Sequence, residues 1–447
     1  MSEKPLPVPN ATIPYWRQEL HELDSYRSSE ALPSEQDVVI VGAGYSGASL
    51  AYYLLDGVEG STRPSITILE ARETCSGATA RNGGHVRPDY YAGLPDRIKR
   101  FGQEAADEMA LFELANLHAV RDLVREKNID CDFRITTSMA VLRDPALAKP
   151  IKDGLDELLR LGSPTAKLVQ YLEGKAAETF SGVKGATAAF TFEAGSIWPY
   201  KLVLFLLSQA VDKGAQLHTN TPVTKVSDTR ENGLWTVTTP RDTIRAKTVL
   251  YASNGYTSTL LPEYKDRIIP VRGICSHVAA PDAADHPYLP TTYSIRHGTS
   301  LYDYQVTRPD GSIVVGGART VVIPHVSEWY NVWDDSKLIE PAADYFNDHM
   351  QRNFRGWEDS GAQVNSIWTG IMGYTNDLYP HVGAVPSKPG QFICAGFNGH
   401  GMAFILLTAR GLAKIVREGL PFSQSGIPRL FETSEQRLQR ERNEILA

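Results

Sequence analysis

Asp37-Val-Val-Ile-Val-Gly42-Ala-Gly44-Tyr45-Ser46-Gly47, with Ser65-Ile-Thr-Ile-Leu-Glu70 after it, reads as strand, glycine turn, helix, second strand and terminal acid. Each part answers a physical requirement. Gly42 permits the tight turn, Gly44 lets a pyrophosphate approach the backbone, and Gly47 lets helix and strand pack closely. Phosphates would sit on the helix N-terminus, where free N–H groups and the helix dipole favour negative charge. Glu70 offers a carboxylate to the two hydroxyls of an adenosine ribose. A bare G-x-G-x-x-G occurs by chance in loops. The strand before it, the helix after it and the spacing of the acid make it a dinucleotide signature. The motif does not choose between FAD and NAD.

At 447 residues the chain exceeds what one core needs, so two closely packed domains are expected. The net charge of −7, with no run of like charge, gives no nucleic-acid surface. Cys75, Cys131, Cys275 and Cys394 form no C-x-x-C pair and have no histidine cluster beside them, which excludes a zinc or disulfide framework. Free thiols fit a reducing compartment. The N-terminus lacks a signal-peptide core, no apolar run is long enough to span a bilayer, and the last residues are not a peroxisomal signal. A soluble, cytoplasmic protein without bound metal is the expectation.

Residues 1–36, with several prolines and Tyr15-Trp16, read as an arm packed across the body. Residues 76–90 are rich in glycine and arginine and read as a loop. Apolar spacing predicts helices over 101–127, 150–161, 201–213 (ended by Gly214) and 402–416. Strands are expected at 133–142, 215–219, 222–226, 234–238, 248–252 and 391–396. Arg308-Pro-Asp-Gly311 marks a hairpin between 301–306 and 312–316.

The last strand opens a second glycine turn, Gly396-Phe-Asn398-Gly399-His400-Gly401, before a helix. Its N–H groups can cradle another electron-rich group. Two such turns at opposite ends of the chain suit an extended FAD, with phosphates at one end and the flavin N1/O2 edge at the other, better than a nicotinamide dinucleotide. The bland reading is a run of helix-flanking glycines with no ligand.

Six motifs in order carry a resemblance. They are Val39-Ile-Val-Gly-Ala-Gly-Tyr-Ser-Gly47, Ile68-Leu-Glu-Ala-Arg72, Ser76-Gly-Ala-Thr-Ala-Arg-Asn-Gly-Gly-His85, Thr369-Gly-Ile-Met-Gly-Tyr-Thr-Asn-Asp377, Pro380-His-Val-Gly383 and Ala395-Gly-Phe-Asn-Gly-His-Gly401. Over residues 37–416 the chain resembles the D-amino acid oxidase superfamily of FAD-dependent oxidoreductases. Within it, the chain is most similar to amine oxidases of the sarcosine oxidase and γ-glutamylputrescine oxidase type, and its 76–85 motif resembles fungal members. The resemblance implies an α/β fold: a Rossmann-type, glutathione reductase-like FAD domain with an inserted α+β substrate domain on a large mixed sheet. It places the FAD domain at 1–95, 190–265 and 366–447, and the substrate domain at 96–189 and 266–365.

The same resemblance assigns cofactor contacts. Gly42, Gly44, Tyr45, Ser46 and Gly47 would hold phosphate, with Glu70, Ala71 and Arg72 on the ribose side. Val223 would meet adenine, and Ala252, Asn254 and Gly255 the phosphates. Thr79, Ala80, Arg81, Asn82, Gly83, Gly84 and His85 would run along the flavin, with Gly373 and Tyr374 beside it. Gly396, Asn398, Gly399, His400, Gly401 and Met402 would meet its pyrimidine edge. His85, Arg87, Tyr302, Arg319 and Tyr374 are the candidate catalytic and substrate residues. Tyr302, Tyr304 and Arg319 are expected on the hairpin that floors the pocket.

The family oxidises a C–N bond by moving hydride from the carbon beside nitrogen to flavin N5, after which the imine hydrolyses. Three departures matter. Met372 stands where relatives carry a flavin-linked cysteine, so FAD is expected to bind non-covalently, with Cys75 and His85 as remote alternatives. Ala403 replaces the lysine that holds small amino acids, and Val314 or a neighbour replaces the oxygen-activating lysine. The implied activity is an amine or amino-acid oxidase passing electrons to O2 with release of H2O2. A dehydrogenase with another acceptor and a catalytically lapsed flavin-binding scaffold are the rival readings. The amine and the oligomeric state are not given by the sequence.

Overall fold

Glu35–Val41 is the central strand of the first sheet because Val38 to Val41 are apolar on both faces, and all four are buried. In this computed structural model, which describes residues 5–282, 286–298 and 301–446, five strands lie parallel in the order Gln391–Ala395, Thr243–Tyr251, Glu35–Val41, Ile66–Leu69 and Gln216–His218. His381–Ala384 adds an antiparallel edge, and the Lys225–Val226 and Trp235–Thr238 hairpin joins Thr243–Tyr251. The helices Tyr45–Leu55, Pro199–Asp212 and Ile405–Glu418 pack together against it. Readings that rest on the first four residues and on the last residue fall outside the described range.

The large mixed sheet is present. Its order is Gln363–Thr375, Ile268–Ala279, Ile313–Gly316, Tyr302–Thr307, Thr292–Arg296, Arg134–Leu142, Ala188–Ser196 and His85–Val86, with Gln170–Glu173 also paired to Ala188–Ser196. Only the pairing of Thr292–Arg296 with Arg134–Leu142 is parallel. Sheet membership moves the expected boundaries. Ala188–Ser196 pairs wholly within this sheet, so the expected boundary at 190 falls inside a strand. Gln363–Thr375 pairs along its length with Ile268–Ala279, so a boundary at 366 cuts a continuous strand. His85–Val86 also lies in this sheet, inside a segment read as loop.

Several element ends shift for local reasons. The helix expected from 150 begins at Pro145, because Asp144 accepts the Ala146 N–H and proline at the first position needs no donor. The long helix is Gln103–Lys127. Gly102, at φ +85°, separates it from a further helix, Leu94–Phe101, that the apolar spacing did not reveal. Only Lys225–Val226 of the 222–226 segment is strand. Arg319 is not on the hairpin but opens the short helix Arg319–Val322 just beyond it. Asn116, buried on Gln103–Lys127, donates to the Met402 carbonyl at 3.2 Å and accepts the Leu407 N–H at 3.0 Å, docking the last helix onto the substrate half.

Two buried histidines give the fold an acid-sensitive limb. His349 bonds Gln305 at 3.0 Å and contacts Asn353, and His218 bonds Gln216 at 3.2 Å. Burial, reinforced by Arg352 and Arg143 for His349 and by Arg241 and Arg27 for His218, holds both down to about 4. The unfolded chain therefore takes up these protons first as pH falls from about 6.5. Their contribution is complete above that value and is lost as pH falls towards 4. The melting temperature should drop by roughly 5 °C or more between pH 7 and pH 4.5, and His349→Gln should shrink that drop. A flat profile over this window in the wild type would contradict the assignment.

Candidate active site

A deep cleft runs between the two sheets, and the 42–47 turn forms one end of it. Gly42 sits at φ +108°, and a Cβ there would fall 2.8 Å from the Ala252 carbonyl oxygen. A Cβ on Gly47 would fall 1.9 Å from the Gly42 oxygen, so helix and turn close on each other only without a side chain. Tyr45 contributes backbone alone: its ring is buried in the core, and its N–H donates to Thr79 Oγ1 at 3.2 Å. The N–H groups of Gly44 and Ser46 take no partner among the described residues and open the helix towards the cleft. Glu70 accepts the Ala43 N–H at 2.8 Å on one oxygen and the Arg72 N–H at 3.0 Å on the other. Both oxygens keep lone pairs for hydroxyl donors.

Arg72 and Arg81 do something other than meet a ligand with their charge. Asp335, fully buried, takes Arg72 in a two-pronged pair at 2.8 and 3.0 Å and lies 3.4 Å from Arg81. Arg81 also donates to the carbonyls of Ser76 and Thr369 at 2.7 and 2.8 Å. Burial and the neighbouring Arg72 bring Arg81 down to about 10, partly offset by Asp335, so it stays charged at neutral pH. These arginines knit the walls beneath the cleft. Tyr256, which the sequence reading missed, lines the cleft above them with its hydroxyl buried and unpartnered. Ala71, Val223 and Ala252 line the same half, and the N–H and C=O of Val223 take no backbone partner among the described residues.

The second glycine turn closes the other end. Asn254 accepts the N–H groups of Gly396 and Phe397 at 3.0 and 3.4 Å. Asn398 accepts the Thr375 N–H at 2.7 Å and donates to the Gly396 carbonyl at 2.9 Å. The N–H groups of Gly399, Gly401 and Met402 take no backbone partner among the described residues, and all three residues line the cleft. His400 also lines it, with Nε2 2.7 Å from Glu113, a fully buried acid that accepts the Asp89 N–H as well. Glu113 was not anticipated. A signal existed, because it lies on the face of Gln103–Lys127 that buries Met109, Phe112 and Leu117.

Between the ends the substrate sheet supplies the wall. His85 shares a 2.7 Å hydrogen bond with Thr292, and burial, with Arg87 and His400 nearby, holds its imidazole neutral. Arg87 donates from Nε to Ser138 at 3.0 Å, lies over the Phe192 ring at 4.8 Å, and keeps Nη2 buried without a partner. Tyr302, Tyr304, Tyr374 and Arg319 all line the cleft. Burial raises the Tyr374 phenol, against the opposing charge of Arg319 beside it. Cys275, another unanticipated residue, lines the cleft 3.2 Å from the Tyr304 hydroxyl. Val314, the expected substitute for a lysine, is in the core; Cys275 and Tyr304 reach the cleft from the flanking strands, and no lysine among the described residues lines it.

The cleft thus gathers Gly42, Gly44, Ser46, Glu70, Thr79, Asn82, Gly83, His85, Asn254 and Asn398, with the residues above. Six expected contacts are not on its surface. Ala80 is core. Gly47, Gly84, Gly255, Gly373 and Gly396 instead allow close packing: a Cβ on Gly255 would meet the Met372 carbonyl at 2.7 Å, and one on Gly373 the Asn254 amide at 2.6 Å. Cys75 is buried in the core away from the cleft. Free N–H groups at both ends and a lone carboxylate at one end fit an extended dinucleotide lying along the whole cleft.

Residues 37–415 match the family described as FAD dependent oxidoreductase (DAO). The chain is 23% identical to gamma-glutamylputrescine oxidoreductase of Escherichia coli (strain K12), over 85% of this chain and 83% of that protein. It is 24% identical to 4-methylaminobutanoate oxidase (formaldehyde-forming) of Paenarthrobacter nicotinovorans, over 90% of this chain and 46% of that longer protein. Among solved structures it superimposes on glycine oxidase from Geobacillus kaustophilus with a TM-score of 0.68 and 21% identity, covering 87% and 96% of the two chains.

Two glycine substitutions separate folding from binding. Gly44→Ala meets only Thr79 Oγ1 at 3.5 Å, an ordinary contact, so the variant should fold while losing about tenfold or more in dinucleotide affinity as the phosphate approach is blocked. Gly47→Ala should yield no soluble folded protein. Circular dichroism and fluorescence titration check both, and a Gly44→Ala protein that binds like wild type would contradict the placement.

Proposed function

The chain belongs to the FAD dependent oxidoreductase family, and from that premise we propose that it oxidises the C–N bond of an amine or amino-acid-like substrate. Its dinucleotide is FAD, which sets aside the nicotinamide reading. The observation that carries the proposal is the wall facing the second glycine turn: Arg87, Arg319, Tyr302, Tyr374 and neutral His85, with no acid among them. Bound FAD supplies the acceptor for hydride leaving the carbon next to nitrogen, and the imine product then takes up water. The protein's part is position and electrostatics. The wall itself presents no carboxylate, the buried Glu113 being held behind it by His400, so an ammonium meets no free counter-ion there and the wall favours the amine in its neutral, reactive form. Arg87 and Arg319 orient an anionic part of the substrate, and Tyr302 and Tyr374 form the faces between them. The unpaired N–H groups at Gly399, Gly401 and Met402 favour negative charge beside them, as reduced flavin requires.

FAD is held non-covalently in this reading, since Met372 occupies the expected attachment point and Cys75 is buried in the core, off the cleft surface. Electrons pass to O2 with release of H2O2, slowly, because no lysine among the described residues lines the cleft. That same observation favours, as the second reading, a dehydrogenase serving another acceptor. Four buried free cysteines, with no described helix long and apolar enough to cross a membrane, fit a cytoplasmic setting.

Anaerobic mixing with N-methyl amino acids, D-amino acids, polyamine conjugates and cyclic secondary amines tests the activity. One class should bleach the flavin band, with colour returning slowly in air and fast with an artificial acceptor. If dithionite bleaches the protein and no amine class does, amine oxidation is wrong; if colour returns at once in air, the slow oxygen step is wrong.

A further inference from the structure

Among the described residues the cleft is lined by five arginines, two histidines and one carboxylate, that of Glu70. Three of the arginines are neutralised in place: Arg72 and Arg81 by Asp335, and Arg272 by Glu328 at 2.7 Å. Arg87 and Arg319 are not. Among the described residues neither makes an ion pair: Asp89, the acid whose charge reaches Arg87, is paired with Arg97, and each keeps a buried nitrogen with no hydrogen-bond partner, Nη2 of Arg87 and Nε of Arg319. Uncompensated guanidinium groups in a low-dielectric wall are costly unless an anion completes them.

Their anchoring keeps them apart. Arg87 is tied to Ser138, whose cross-strand row runs through Thr292 and Val306 to Val314. The strand Ile313–Gly316, which leads into Arg319, is therefore the third from Ser138, roughly 14 Å away at about 4.8 Å per strand. Arg319 sits beside Tyr374, whose strand lies farther still along the sheet. One carboxylate does not bridge two guanidinium groups so placed.

We propose that the substrate site takes a dianionic amine, an amino or imino acid with a second carboxylate, one anionic group on Arg87 and the other on Arg319. This rests on the amine-oxidation reading and deepens it: two acids at the ends leave the nitrogen and its neighbouring carbon between them, facing the second glycine turn. Arg87 and Arg319 come from opposite flanks of the cleft, so the distance between them selects substrate length.

The test uses ligands without nitrogen, so it stands whether or not an amine is oxidised. FAD-loaded protein is titrated with succinate, glutarate and adipate, each against the monocarboxylate of equal chain length, following the flavin spectrum and calorimetry. At least one dicarboxylate should bind about 10–100-fold more tightly than its monocarboxylate, the range of one charge-assisted pair. Arg319→Met should reduce that dicarboxylate to the monocarboxylate level while leaving the monocarboxylate unchanged, Arg319→Lys should restore part of the difference, and Arg87→Met should weaken both. Each variant is checked for FAD content; Arg319→Gln replaces a Met variant that loses flavin. Equal affinity for the two ligand classes, equal losses of both in Arg319→Met, or no binding of any carboxylate would overturn the proposal. Failure of amine oxidation would instead appear as an unbleached flavin with dicarboxylate binding intact.

Discussion

Asn254 is the joint on which the cleft depends. The two glycine turns come from opposite ends of the chain, and a third segment must hold them in register. Asn254 follows the strand Thr243–Tyr251, next to the central one, in a left-handed conformation (φ +45°) and accepts the N–H groups that open the second turn. Gly373, on the substrate sheet, packs so close that any side chain would strike its amide. One carboxamide therefore fixes the cofactor sheet, the substrate strand Gln363–Thr375 and the C-terminal turn against one another. Losing this part-buried acceptor strands its donors, at a cost of about 1 kcal/mol or more.

A second constraint is electrostatic. Asp335 carries two arginines, and its carbonyl also accepts Thr12 from the N-terminal arm, at 2.9 Å from the backbone and 3.0 Å from the side chain. Breaking a buried pair on one side leaves an uncompensated charge and costs about 3–5 kcal/mol. This cluster therefore clamps the arm, the 72–81 loop and the substrate half together beneath the cofactor end. It also neutralises that end. The unbalanced positive charge of the cleft lies at the opposite end, against the substrate wall, and this asymmetry assigns the two halves different ligands.

Local signals carried the cofactor half of the fold. The apolar run before Gly42, the glycine spacing and Glu70 all act within one β-α-β unit, so neighbouring residues suffice to read them. The hairpin was legible for the same reason, since Arg308-Pro-Asp-Gly311 sets its own turn and Gly311 takes φ +87°. The rest of the substrate sheet, apart from Arg134–Leu142, was not. Ile268–Ala279 is buried almost throughout, and a strand covered on both faces has no alternation to read. Site residues divide the same way. The glycine turns were placed by their own geometry. Arg72 and Arg81 were read as cofactor contacts because the charge that captures them, Asp335, is far away in sequence. Glu113 was hidden in a helix whose apolar spacing drew attention to its neighbours.

The central claim is that both glycine turns hold one FAD, the first its phosphates and the second its flavin. The most direct measurement is calorimetric titration of apoprotein with FAD and with ADP, in the wild type and in Asn398→Ala. Asn398 braces only the second turn, through Thr375 and Gly396. The account predicts that FAD affinity falls about tenfold or more, by loss of that turn's aligned donors, while ADP affinity holds. Equal losses for both ligands, or none for FAD, would contradict it.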